Sequence, residues 1–274
     1  MGKRSDIKYI RFILLYSAII FNCISTFSSD STSYSGYYNF IYQDFLGLND
    51  EYETPYYVFK GKDVYTPVMI LDGGIHGDEI ASYMACDSIV KYIRVTEGTL
   101  IVIPRTNIKA CNINQRQVNF DFNHAFPGDI TSDLYEYRLA YEFMWLVDSV
   151  KPDLIINLHE ARTKWTPSAR YDSEKAYGQI IISCIQPFED LMMRSISRMN
   201  SRIYREDFKF NPHYYSIREY SSLDNFVLKF GIKSYTVETW RGFALEDRIK
   251  LQLIAALSFM EELGIKYEYP QITF

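Results

Sequence analysis

The sequence has 274 residues, 47% of them hydrophobic, 16% aromatic and 23% charged, with a formal net charge of −5 at pH 7. That length and apolar content support one large α/β domain with a sizeable core, and the acidic balance argues against nucleic acid as a partner. The 24 Tyr and 18 Phe are read as compositional bias, because scattered exposed aromatics need no functional explanation.

Lys3, Arg4, Lys8 and Arg11 precede an apolar run over residues 12 to 24, which a Ser/Thr-rich stretch follows through Ser35. A basic start, a short apolar run and a small-residue exit are the order of a secretory signal, and the run is short for a membrane span. Residues 1 to 28 are therefore expected to be removed, leaving an exported, periplasmic or secreted protein with no stable membrane insertion. The alternative is a membrane anchor that stays uncleaved. Removal takes away four basic residues and Asp6, so the mature chain is more acidic still. Cys23 follows Phe21-Asn22, where a lipidation signal would want small residues, and no lipidation is expected. Cys86, Cys111 and Cys184 then remain, an odd number that reads as buried free thiols.

Residues 29 to 54 read as a linker or irregular start, and residues 55 to 274 as the folded domain. Residues 56 to 60 and 67 to 71 look like strands, and the second runs into Gly73-Gly74-Ile75-His76-Gly77-Asp78-Glu79. Helical periodicity holds over residues 78 to 93, with Asp78 placed to cap it. The apolar run 99 to 103 suits a buried parallel strand. Residues 104 to 131 keep no period, and an irregular stretch of that length in a compact domain is usually functional. A helix over 133 to 150 and a strand over 153 to 158 follow, the strand running into His159-Glu160. After an irregular stretch come a strand over 179 to 185, a helix over 188 to 203 and a mixed segment to Tyr220. A short helix over 222 to 230 ends at Gly231, a strand over 232 to 237 delivers Glu238, and a final helix over 245 to 263 stops at Gly264.

This alternation predicts an α/β fold: a mostly parallel, mixed central sheet with helices on both faces. Its strand ends share one rim, where ligands bind in open α/β sheets. The rim would collect His76 with Glu79, Arg105 with Asn107, His159, and Glu238. His76 and Glu79 offer imidazole nitrogen and carboxylate oxygen, two of the three protein ligands that a catalytic zinc needs. Their spacing alone is a common one.

The segments together are more specific, and they resemble the zinc carboxypeptidase superfamily, in particular its succinylglutamate desuccinylase and aspartoacylase branch. Gly74-Ile75-His76-Gly77-Asp78-Glu79 is similar to the family's GxHGxE segment, Leu158-His159-Glu160 to the strand end bearing its third ligand, and Thr236-Val237-Glu238-Thr239 to the strand bearing its catalytic glutamate. Residues 120 to 128, Phe-Asp-Phe-Asn-His-Ala-Phe-Pro-Gly, resemble the DLNRxFPG segment, with Arg116 seven residues before Asn123. The resemblance covers about residues 55 to 262. It implies one Zn2+ per chain held by His76, Glu79 and His159, a zinc that acidifies water and polarises a carbonyl. It further implies Glu238 as general base, Arg116 as the group that stabilises the oxyanion, and Asn123 as a substrate-orienting residue. His124 stands where the family has a carboxylate-gripping arginine, which removes the usual means of recognising an acidic substrate. With one helix's worth of chain after Glu238, the small C-terminal β-domain of aspartoacylase-like members is not expected.

Other roles remain open for several of these residues. Arg116 could form a salt bridge in a polar loop. His124 could touch substrate or support a metal ligand. His213 reads as a surface-loop residue, and Glu160 points to the opposite side of the strand from His159. The expected function is a zinc-dependent hydrolase that cleaves the amide bond of an N-acyl amino acid or related small amide. The alternatives are a metallocarboxypeptidase trimming peptides, cell-wall peptides included, and a catalytically silent pocket-binding protein.

Overall fold

Continuous apolar runs become the middle of a sheet. A computed structural model describes residues 42–62, 67–166, 176–215 and 222–270, which fall in one compact unit of residues 37–274. In chain order the elements are β1 (Tyr42–Leu46), β2 (Thr54–Lys60), β3 (Val68–Asp72), α1 (Ile80–Tyr92), β4 (Arg94–Glu97), β5 (Thr99–Ile103), α2 (Ile108–Asn112), α3 (Tyr135–Val150) and β6 (Leu154–Ala161). There follow β7 (Ile180–Ser183), α4 (Asp190–Ser201), β8 (Asn211–Tyr214), α5 (Leu223–Val227), β9 (Lys233–Trp240), α6 (Leu245–Leu263) and β10 (Lys266–Glu268).

Eight strands form one sheet in the order β1-β2-β5-β3-β6-β9-β7-β8, and β4 pairs with β10 apart from it. The centre, β5-β3-β6-β9, is parallel throughout, whereas β1, β2 and the β7–β9 pairing are antiparallel. The expected mixed α/β sheet is thus observed.

Strand alternation divides the interior into two cores. Met69, Leu71, Leu100, Val102, Leu154, Ile156, Leu158, Tyr235 and Val237 face α1, α4 and α6, and Ile70, Ile101, Ile103 and Ile155 face α3 and α5. Because successive residues of a strand point to opposite faces, Asp72, Asn157, His159, Thr236 and Glu238 share the parity of Ile70 and Ile155. They lie on the α3/α5 side, toward the carboxyl ends of the parallel strands.

Several expectations shift. Residues 42–46 were expected within an irregular start and instead form edge strand β1, antiparallel to β2; its half-exposed side chains, with Gln43-Asp44 at its middle, hide the strand. The segments β4 and β10 fall where no element was expected, and β8 within the mixed segment; each is a strand of only three or four residues, too short to show a period. His213 therefore sits in β8 rather than in a surface loop. Gly231 and Gly264 end their helical segments in the left-handed conformation, as expected. The expected signal segment lies outside the described residues, among which no helix is long and apolar enough to cross a membrane.

The turn after β3 is held by backbone proximity. Gly74 has φ +69, which favours glycine. At Gly77 a Cβ would stand 2.1 Å from the carbonyl carbon of Ala110 in α2, so the turn and α2 can pack this closely only without a side chain. Gly77→Ala should lower unfolding stability by about 1–3 kcal/mol through overpacking. Chemical denaturation checks this, and an unchanged midpoint would contradict it.

Candidate active site

His76 leaves the turn after β3 and Glu79 precedes the first residue of α1, while His159 and Glu238 are neighbours in register on β6 and β9. The turn is fixed by backbone bonds to the exit of β5, from Thr106 N to Gly73 O and from Asn107 N to Gly74 O. It is also tied to the loop that carries Arg116, through Gly77 N donating to Arg116 O.

The Glu79 carboxylate lies between two imidazoles. His76 Nδ1 is 2.8 Å from Oε1 and His159 Nδ1 is 2.9 Å from Oε2, and the two Nδ1 atoms are 3.2 Å apart. All three side chains are buried. Burial alone would raise the Glu79 carboxyl, but the two imidazoles override it and hold Glu79 well below the usual range. His76 is displaced upward: burial disfavours its charge, but the Glu79 carboxylate and the Asp121 hydrogen bond outweigh that.

Among the described residues this is the one His/Cys/Asp/Glu group placed to hold a metal ion. Its donor chemistry fits zinc: two nitrogens and a carboxylate, mutually near the roughly 3.3 Å that separates ligands of one tetrahedral zinc. The outer support fits too. His76 Nε2 meets Asp121 Oδ1 at 3.0 Å, so its other nitrogen is held toward Glu79 and His159. Asp121 in turn accepts from Arg116 Nη2 at 3.0 Å and from the Asn123 amide at 3.1 Å. The buried Glu136 carboxylate fixes the same loop by accepting from the Asn119 and Phe120 amides.

Glu160 faces away from these ligands, as its strand parity requires. It pairs with Arg248 of α6, and its Oε2 accepts from Ala81 N. This corrects the expected helix cap. Asp78 does not cap α1 but pairs with Arg241 at 2.9 Å, and a carboxylate from β6 satisfies the helix start instead. Sequence proximity favoured Asp78, whereas Glu160 is 79 residues away.

Glu238 is half-buried, with its Oε2 enclosed and bonded to no described protein group. Burial, and then the charge of Glu79, push its carboxyl well above the usual range, which suits a group that must take up a proton. Arg116 lies at the lip, 41% exposed along its side chain, with Nη1 3.5 Å from Glu79 Oε1. Its ion pair with Asp121 realises the salt-bridge reading, and its exposed guanidinium still faces the cavity.

His76, Glu79, Arg116, Asn123, His124, His159 and Glu238 all line one cavity of about 510 Å3. Arg105 and Asn107 do not reach it. Arg105 pairs with Asp87, and Asn107 caps α2 and accepts from the Tyr135 hydroxyl; their strand, β5, lies beyond β3 from β6 and β9. The cavity residues that sequence reasoning missed include Asp121, inside the quoted segment; Arg241, three residues past Glu238; and Arg162, Tyr177, Tyr215 and Asp224, which no motif marks.

Residues 65–181 match the catalytic-domain model of succinylglutamate desuccinylase/aspartoacylase. A stretch of 98 residues is 31% identical to N-alpha-acetyl-L-2,4-diaminobutyric acid deacetylase of Halomonas elongata, covering 34% of this chain and 28% of that protein. Among solved structures, the product-bound Cell Shape Determinant protein Csd4 of Helicobacter pylori superposes with a TM-score of 0.70 at 19% identity, covering 80% of this chain and 57% of that one. A succinylglutamate desuccinylase/aspartoacylase of Rhodobacter sphaeroides gives 0.56 at 21%, covering 78% and 60%. The chain thus spans less than two thirds of each relative. The resemblance read from the motifs is borne out, and so is the zinc carboxypeptidase-like fold.

Asp121→Asn should weaken zinc binding by about 10- to 100-fold while leaving the fold intact, the usual consequence of losing a carboxylate behind a ligating histidine. Competition with a chromophoric chelator measures this, and unaltered affinity would remove Asp121 from the ligand support.

Proposed function

We propose that this chain, a relative of the succinylglutamate desuccinylases and aspartoacylases, is a zinc-dependent hydrolase that cleaves the amide bond of an N-acyl amino acid or related small amide. The observation that carries the reading is the half-buried Glu238 carboxylate, its Oε2 enclosed, beside His159 in register and sharing one cavity with the three candidate ligands. Zinc held by His76, Glu79 and His159 would supply a Lewis acid for the substrate carbonyl and for water.

The rest falls to the chain's own side chains. Glu238 takes a proton from the attacking water and returns it to the leaving amine. Arg116 donates to the oxygen that gains charge, an interaction worth roughly 3–4 kcal/mol in such sites. Asp121 holds His76, Glu160 holds the start of α1, and Asn123 and His124 flank the substrate.

A second reading, peptide trimming by a metallocarboxypeptidase, draws support from the fold neighbours: one Helicobacter pylori structure is an mDAP-bound Csd4 described as a D,L-carboxypeptidase. Arg162 and Arg241 line the same cavity and could grip a carboxylate in place of an arginine at position 124. The silent-binder reading gives no reason to enclose an ionisable Glu238 beside the ligand set.

Glu238→Gln should retain zinc and fold but lose about 10²- to 10⁴-fold in turnover of acylated amino acids or short peptides, whereas His76→Ala should lose metal and activity together. Metal content and initial rates read both variants. Parent-like rates for Glu238→Gln would show that another group moves the proton.

A further inference from the structure

Three pieces of backbone meet at the site: the turn after β3 with His76 and Glu79, β6 with His159, and β9 with Glu238. The turn and β9 are not neighbours, since β6 lies between β3 and β9. The turn is joined to β6 by the Glu160 amide, which donates to Glu79 Oε2 at 3.0 Å, and by the Ala81 amide, which donates to the Glu160 carboxylate. Ladder bonds join β6 to β9. Among the described residues, one side chain makes the hydrogen bond from the end of β9 directly to the turn. Arg241 Nη1 donates to Asp78 Oδ2 at 2.9 Å, and its Nη2 stands 3.7 Å from Glu79 Oε1.

This side chain starts from a fixed point. The Arg241 amide donates to Ala161 O at the end of β6, the neighbouring Trp240 indole donates to Arg162 O at 3.1 Å, and Phe243 N closes a turn on Trp240 O. Its far end is largely covered: the side chain is 20% exposed, and Nε is enclosed and bonded to no described protein group. Arg162 also approaches Asp78, at 3.4 Å, but is 77% exposed. Solvent screening leaves so open a contact worth little, and the hold on Asp78 falls to Arg241. Asp78 stands between the two candidate ligands of the turn and directly before Glu79, so a displacement of Asp78 carries the ligands with it.

We propose that Arg241 is a positioning residue: by holding Asp78 to the end of β9, it sets the spacing between the metal ligands of the turn and Glu238. This rests on the zinc-hydrolase reading and adds a part to it. A group that moves a proton acts only within hydrogen-bond reach of the water it serves, and a misplacement of about 1 Å can cost ~10²-fold in rate. A guanidinium suits the task because its two outer nitrogens face the two carboxylates of one turn together.

Arg241→Met nearly keeps the length of the side chain and removes the bond. In the zinc-loaded protein it should lower kcat for acylated amino acids or short peptides by about 10- to 100-fold and leave KM nearly unchanged. Arg241→Lys, which restores a cation opposite Asp78, should recover most of that rate. Asp78→Ala should reproduce the loss, and the double variant should be no worse than Arg241→Met, because both changes remove one contact. A crystal structure of zinc-loaded Arg241→Met should show the distance from zinc to the Glu238 carboxylate changed by about 1 Å. A raised KM with kcat retained would make Arg241 a substrate contact. A lower unfolding midpoint with parent-like kcat would make it an ordinary ion pair. Either result overturns the positioning role, as does an unmoved Glu238. If the parent itself turns nothing over, the hydrolase reading fails and the crystallographic distance alone decides the role of Arg241. Should Arg241→Met fail to fold, Asp78→Ala breaks the same bond from the other side and is read by the same distance.

Discussion

The rest of the site depends on one buried carboxylate held between two imidazoles. Glu79 meets His76 and His159 at 2.8 and 2.9 Å, and the imidazole nitrogens that face it are 3.2 Å from each other. Two nitrogens that close cannot both point a proton along the line between them. An arrangement of two lone pairs and a carboxylate is satisfied by a shared cation, and burial makes the unsatisfied alternative costly. The surroundings act to keep these three groups in place. Gly77 lets the turn pack on α2, Asp121 fixes the imidazole of His76, and Glu160 ties the start of α1 to β6 with an N–H···O bond of 2.9 Å.

A second constraint is strand parity. In β6 the even-numbered apolar residues Leu154, Ile156 and Leu158 fill the core beneath α1, α4 and α6, which leaves Asn157 and His159 on the other face. In β9, Tyr235 and Val237 do the same and leave Thr236 and Glu238 beside them. One alternation thus builds a core on one side and, on the other, two polar tiers. The upper tier holds the candidate ligand His159 and the candidate base Glu238, and the lower one holds Asn157 and Thr236 against Asp224. A one-residue slip of either strand would exchange polar tier for core, so the packing of the apolar set fixes the site's register.

Much of this was legible in the chain. The apolar runs of β3, β5, β6 and β9 and the caps at Gly231 and Gly264 are local signals, and so are the segments bearing His76, Glu79, His159 and Glu238. What escaped was long-range or short. Glu160 caps α1 from another strand, and Arg105, whose strand lies beyond β3 from β6 and β9, turns to Asp87. Asp224 reaches the cavity floor only once α5 folds over β6 and β9; nothing in Leu223-Asp224-Asn225 announces it. The edge strands β1, β8 and β10 are too brief or too exposed to show alternation.

Where a metal sits decides the role of His76, Glu79 and His159. A crystal of the zinc-loaded chain, with diffraction recorded on both sides of the zinc absorption edge, gives the position and occupancy of the ion directly. The prediction is a single anomalous peak bonded to Nδ1 of His76, Nδ1 of His159 and the Glu79 carboxylate, at about 2.0–2.2 Å from each. A fully loaded chain with its zinc elsewhere, or with no peak between these three residues, would contradict it.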